Sequence, residues 1–214
     1  MKKLLTIVAS LVLAALPLRA QLAADAGFLH GFEKTTVTAS FLGQSATDTE
    51  DSQLDGLYAG AKYNIPLVGG LSLVPGANLS YLFGKYYDDN DIKLQELAVN
   101  VPVHVMYSLP VVSDMSIQFM AGPTLQLGIF HKGVDNTENP TQQYDLYKSY
   151  KILNIEAIPA RNRFNLYMSV GAGVNVADRF LVNLGFDFGL LNMSTGTNWN
   201  IRRNALKIGF GYIF

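Results

Sequence analysis

The chain contains no cysteine. That excludes disulfides, cysteine nucleophiles, thiolate zinc sites and a lipid-modified N-terminal cysteine. Charge is scarce as well. Only 15% of residues are Asp, Glu, Lys or Arg, against roughly 25% in soluble domains. The formal net charge is −1, so no field of one sign points to nucleic acid or to an anionic surface. Long apolar runs are missing beyond the N-terminus, although 49% of residues are hydrophobic. Nothing there approaches the ~20 apolar residues of a membrane helix. No Gly-rich phosphate loop follows a strand pattern, and no basic-aromatic groove suits nucleic acid.

What the chain has instead is alternation. Counting back from the end, Phe214, Tyr212, Phe210, Ile208 and Leu206 are large and apolar, while the alternate residues Ile213, Gly211, Gly209, Lys207 and Ala205 are mostly small or charged. Period two over this length is a strand with one greasy face. The same pattern predicts strands at 35–41, 57–65, 71–83, 97–107, 115–129, 164–174 and 180–190. With the last one that makes eight. In the first, Thr35, Val37, Ala39 and Phe41 are set against Thr36, Thr38 and Ser40; residues 21–33 give no clear pattern. Pro75, Pro102 and Pro123 fall inside strands, where each removes a ladder hydrogen bond, so bulges or kinks are expected there.

Loops are expected at 43–53, 84–91, 131–162 and 192–199, with tight turns at 66–70, 109–114 and 177–179. Ile152, Ile155 and Ile158 give the longest loop a weak helical spacing. Long and short connections alternate, as in an up-and-down transmembrane barrel with its termini in the periplasm. This topology puts Tyr63, Tyr107, Phe180 and Phe214 at the inner rim and Phe83, Phe130 and Phe164 at the outer rim, where aromatic rings settle at the headgroups. The face opposite the greasy one is rich in Gly, Ser, Asn and Gln, which suits a narrow lumen filled by side chains. The fold class expected is therefore all-β: an eight-stranded antiparallel barrel. Residues 1–20, with Lys2, Lys3 and the apolar run Leu4–Leu16, read as a secretory signal, leaving 21–214 as the barrel domain.

The chain resembles the outer-membrane β-barrel domain family that includes PorT-type proteins, and in architecture the small OmpA/OmpX-type barrels. The stretches that carry the likeness are LSLVPGANLSYLFG at 71–84, FMAGPTLQLGIF at 119–130, NLYMSVGAGVNV at 165–176 and the terminal LKIGFGYIF. The terminal Lys207-x-Gly209-x-x-Tyr212-x-Phe214 looks like the signal read by barrel-insertion machinery. The resemblance implies an outer-membrane location, with lipid and surface glycolipid as neighbours. For PorT-type relatives it also implies a link to secretion and gliding systems.

By parity, Lys62, His104, Asp187, Arg203 and Lys207 face the lumen. A charge there must be paired, so Asp187 is expected to pair with Lys207 or Arg203 on the adjoining strand. His131, with Asp135, Glu138 and Ser149 in the same loop, is the one grouping at the outer rim that could suit a lipid-modifying enzyme; no motif fixes its geometry. Asp48, Glu50, Asp51 and Asp55, then Asp88, Asp89 and Asp91, make two outer loops acidic without calcium-loop spacing. Weak divalent bridging to glycolipid phosphates is a possible use. No catalytic residue, cofactor or metal is expected. The reading favoured is a non-enzymatic structural, adhesive or accessory protein of the envelope. The rivals are an outer-leaflet lipid-modifying enzyme and an exported lipocalin-like binder of a small apolar ligand.

Overall fold

The computed structural model describes residues 21–41, 44–86, 89–135, 142–152 and 155–214. The strands are β1 (Gln21–Phe41), β2 (Gln44–Pro66), β3 (Leu71–Tyr86), β4 (Asp89–Val112), β5 (Met115–Asp135), β6 (Gln142–Asp145), β7 (Tyr150–Ile152), β8 (Ile155–Ile158), β9 (Phe164–Val176), β10 (Phe180–Gly189) and β11 (Trp199–Ile213). Eight of them pair antiparallel in the order β4-β3-β2-β1-β11-β10-β9-β5, and β4 pairs with β5 to close the ring. A closed ring has no edge, so no row of backbone donors and acceptors is left unpaired.

The start of β1 and the end of β11 lie at one end, where Phe214 N donates to Leu22 O at 2.9 Å. The turns after β2, β4 and β9 lie there too. Gly69 and Gly70 supply positive φ of 60° and 83° in the first, and Ala177 and Asp178 adopt 54° and 53° in the third. At the opposite end β1 and β2 run on as a ribbon past Val37, where β1 leaves β11, to Phe41 opposite Gln44.

Side-chain parity follows the alternation. Phe28, Leu57, Leu79, Val105, Leu125, Val170, Leu184 and Phe210, one from each ring strand, are all more than 40% exposed. Leu29, Tyr58, Ser80, Met106, Thr124, Ser169 and Leu181, of opposite parity on the same strands, are buried inside the ring. The protein is thus inverted, with its large apolar residues outside. Phe83, Phe164, Tyr107, Phe180 and Phe214 are exposed at the two rims, and Tyr63 and Phe130 are half-buried.

Several expectations are corrected. The first strand begins at Gln21, not residue 35, and its outward face is the even one: Leu22, Ala24, Ala26, Phe28 and Phe32. Thr35 is buried. Small alanines on the outward side had blurred the alternation. The loops expected at 43–53 and 84–91 are mostly strand, because a ribbon beyond the barrel has water on both faces and needs no greasy side. The 131–162 stretch opens with the end of β5 and includes β6, β7 and β8. Ile155 and Ile158 sit in a strand paired with β7, so no helix forms there.

The three prolines interrupt the ladder without shifting its register: Pro75 pairs with Val103 and the pairing resumes at Asn78 and Asn100. The bulge that matters lies elsewhere. Leu97 pairs with Phe130 and Ala98 with Gly128, which leaves Ile129 as an extra residue. Beyond it the parity of β5 reverses.

Candidate functional site: the barrel lumen

The outer half of the lumen is sealed by an ionic cluster. Arg203 donates from Nη2 and Nε to Glu33 Oε2 at 2.7 and 3.2 Å and from Nη1 to Glu96 Oε2 at 2.8 Å. Arg161, from the segment before β9, straddles both Glu33 oxygens at 2.7 and 2.8 Å. His131 Nδ1 lies 3.2 Å from Glu96 Oε2, outside hydrogen-bonding alignment. Arg203, Glu33, Glu96 and His131 are no more than 2% exposed. Two carboxylates against two guanidiniums leave the layer neutral, which is the condition for burying it.

The outer segments close over this layer. Leu146 N bonds His131 O and Arg161 N bonds Leu146 O, both at 2.9 Å. The Arg163 guanidinium lies 4.3 Å from the centre of the Tyr147 ring. Gly128 leaves the room that Tyr147 occupies, since a Cβ there would strike its hydroxyl. Leu146 joins Leu29, Leu54, Leu82 and Leu94 in an apolar cluster inside the ring.

Below lies a neutral polar layer. Asn100 Nδ2 donates to Asn78 Oδ1 and Ser80 Oγ, Gln126 Nε2 donates to Asn100 Oδ1, and Tyr167 Oη donates to Gln126 Oε1, all within 3.1 Å. His104 Nε2, Thr124 Oγ1 and Ser169 Oγ form a chain with spacings of 3.2 and 2.8 Å.

Nearer the terminal end are two ion pairs. Lys62 Nζ meets Asp25 Oδ2 at 3.1 Å, and Lys207 Nζ meets Asp187 Oδ2. Tyr58 stands beside them, its hydroxyl 3.4 Å from Asn183 Oδ1. Its ring fits because Gly27 and Gly209 lack a Cβ that would strike it.

Of the residues singled out in the sequence, Asp187 and Lys207 lie together, while Arg203 belongs to the outer layer with Glu33 and Glu96. Gly209 faces inward under Tyr58. Tyr212 and Phe214 face outward, Tyr212 meeting Phe180 and Phe214 edge to face with centroids 5.6 and 5.3 Å apart. His131 is not at the outer rim. The Ile129 bulge turns it into the lumen, where it is fully buried, and Ser149 is exposed. Glu138 and Asp88 lie outside the described residues, as does the 1–20 segment. Among the described residues no three His, Asp or Glu side chains are grouped so as to hold a metal ion.

Sequence reasoning missed Glu33, Glu96, Arg161 and Leu146. Glu96 was legible, because it has the inward parity of Ala98 and Asn100. Arg161 and Leu146 come from an irregular segment, where parity says nothing.

Substituting Asp187 by alanine is expected to lower Tm, with a loss of about 1–3 kcal/mol for a charge-assisted bond whose lysine partner stays half-buried. Thermal unfolding in detergent checks this. An unchanged Tm with altered permeability would refute a stabilising role for the pair.

No family model matches the chain, and no curated protein matches it. Solved structures similar to it include outer membrane protein OprG from Pseudomonas aeruginosa (13% identity, TM-score 0.44, covering 91% of this chain and 96% of that one). Others are the outer membrane protease OmpT from Escherichia coli (10%, TM-score 0.41, 91% and 97%) and Ail, the attachment invasion locus protein of Yersinia pestis (11%, TM-score 0.38, 89% and 99%).

Proposed function

We propose that the chain is an integral protein of the bacterial outer membrane that acts without catalysis, as a structural, adhesive or accessory component of the envelope. One observation carries this reading: large apolar side chains face outward around the whole of a closed ring. A soluble protein rarely exposes apolar surface on that scale, whereas hydrocarbon tails cover it without cost. Residues 1–20 serve as the export signal and are removed.

The lumen is no open pore, because the buried Arg203 layer and Leu146 fill its outer half. Activity then resides in what projects. The β1–β2 ribbon stands beyond the ring and exposes Asp48, Glu50 and Asp51. This acidic ribbon is a surface for another envelope component, or for glycolipid phosphates bridged by divalent ions. The PorT-type resemblance implies a supporting role in secretion or gliding machinery. A rim-level lipid hydrolase is disfavoured because His131 has no access to lipid.

The insertion machinery is the partner during assembly, reading Lys207, Gly209, Tyr212 and Phe214. Deleting Phe214 is expected to reduce the folded, heat-modifiable form in outer-membrane fractions by about threefold or more, since this ring is 73% exposed and belongs to the interfacial girdle. Wild-type protein recovered in the soluble periplasmic fraction would overturn the membrane reading. Undiminished assembly without Phe214 would overturn the signal.

A further inference from the structure

The inner half of the lumen is less filled than the outer half. A cavity of about 110 Å³ opens between Tyr58, His104, Met106, Met120 and the two ion pairs. The side chains of Asp25, Lys62 and Lys207 are 15%, 18% and 21% exposed, against 1–2% for Glu33, Glu96 and Arg203. Access therefore runs from the end that bears the start of β1 and the end of β11, and the pocket is blind toward the other end.

We propose that this pocket binds a small uncharged amphipathic molecule, about the size of one six-membered ring, with a single hydroxyl or carbonyl group. Size sets the first limit: an enclosed cavity of roughly 150 Å³ takes a benzene ring, so this open pocket of about 110 Å³ takes no more than one ring, part of it at the mouth. Charge sets the second. Both lysines are already matched, Lys62 by Asp25 and Lys207 by Asp187, so an ionic guest would bring a charge with no partner. The polar groups set the third. Asn183 and Asn64 both line the pocket, and Asn183 Nδ2 and Asn64 Oδ1 are each buried without a hydrogen-bond partner. Unmade bonds of this kind favour a guest that can accept or donate one. Met106, Met120, Val74 and Leu181 supply the apolar wall for its ring. The pocket is a property of the lumen and does not depend on what the outer ribbon binds.

Gly185 provides the means to close it. This glycine lines the pocket, and a Cβ built on it meets nothing nearer than Val170 O at 3.4 Å. The Cβ of Gly185→Ile fits at this position, and its further carbons should fill the space from β10.

The experiment uses the folded barrel in micelles with its methionine methyl groups labelled with ¹³C, titrated with phenol, and with benzoate as the charged analogue. Met106 and Met120 report from the pocket, while Met168, 42% exposed on the outer face, reports uptake of phenol by the micelle. Expected are saturable shifts at Met106 and Met120 with a Kd of the order of 1 mM, the scale for so small a ligand. Met168 should drift without saturating. Benzoate should leave the pocket methyls unmoved, and Gly185→Ile should weaken phenol binding about tenfold or more. Failure of phenol to saturate Met106 and Met120 in the wild type would overturn the proposal, whether or not the variant assembles. So would an equal response to benzoate, or undiminished binding in a folded Gly185→Ile barrel. None of these outcomes bears on the membrane reading, which rests on the outer face.

Discussion

Replacing Arg203 with alanine is expected to lower the unfolding free energy by about 3–5 kcal/mol, the range for removing one partner of a buried ionic group. The side chain holds two carboxylates from two other strands, through Nε and Nη2 to Glu33 and Nη1 to Glu96. Glu33 would keep Arg161. Glu96 would keep only His131, which is misaligned for a hydrogen bond and helps only when protonated. Most of the loss therefore falls on Glu96, stranded where it is 2% exposed. Reversible urea unfolding in lipid vesicles measures the change. Combining Glu96→Gln with Arg203→Met leaves Glu33 matched by Arg161 and strands no charge, so it should restore most of the stability. A loss below about 1 kcal/mol for Arg203→Ala would mean that water reaches these carboxylates and that the outer lumen is not sealed.

The ring was legible in the sequence because each of its signals is a period-two signal. Seven of the eight strands put outside the residues their alternation assigns there, from Leu57 on β2 to Phe210 on β11. The pattern failed in three places, for three physical reasons. On β1 the outward positions 24 and 26 are alanines, too small to mark a face. On the β1–β2 ribbon neither face is greasy, so the strand read as loop. On β5 the strand was expected to end at Ile129 with His131 opening a loop, whereas it runs on to Asp135 past the bulge. Two bulky residues side by side break the alternation there, and that break was the visible trace of the bulge. Reading it would have moved His131 from the rim into the lumen. The Asp187–Lys207 pair could be proposed from parity and adjacency alone. The Arg203 cluster could not, because Glu33 lay in an unread stretch and Arg161 reaches inward from a segment that has no period.

The membrane reading makes its sharpest demand on the outer face of β4. Val101 lies midway between the inner-rim Tyr107 and the outer stretch of β4, points outward and is 41% exposed. If hydrocarbon surrounds it, Val101→Arg should cost about 2–4 kcal/mol, the cost of an arginine near the bilayer midplane of a barrel. Equilibrium unfolding in phosphatidylcholine vesicles measures it. Thr38→Arg is the control. It sits on the β1–β2 ribbon, beyond the point where β1 leaves β11, and should change stability by no more than about 0.5 kcal/mol. The contrast between the two sites is the informative quantity, because both add the same side chain to an antiparallel strand. A β-propensity effect or a change in net charge would act on both alike; only depth in the bilayer separates them. Equal, small costs at Val101 and Thr38 would mean that water, or another protein, covers the apolar face in place of lipid.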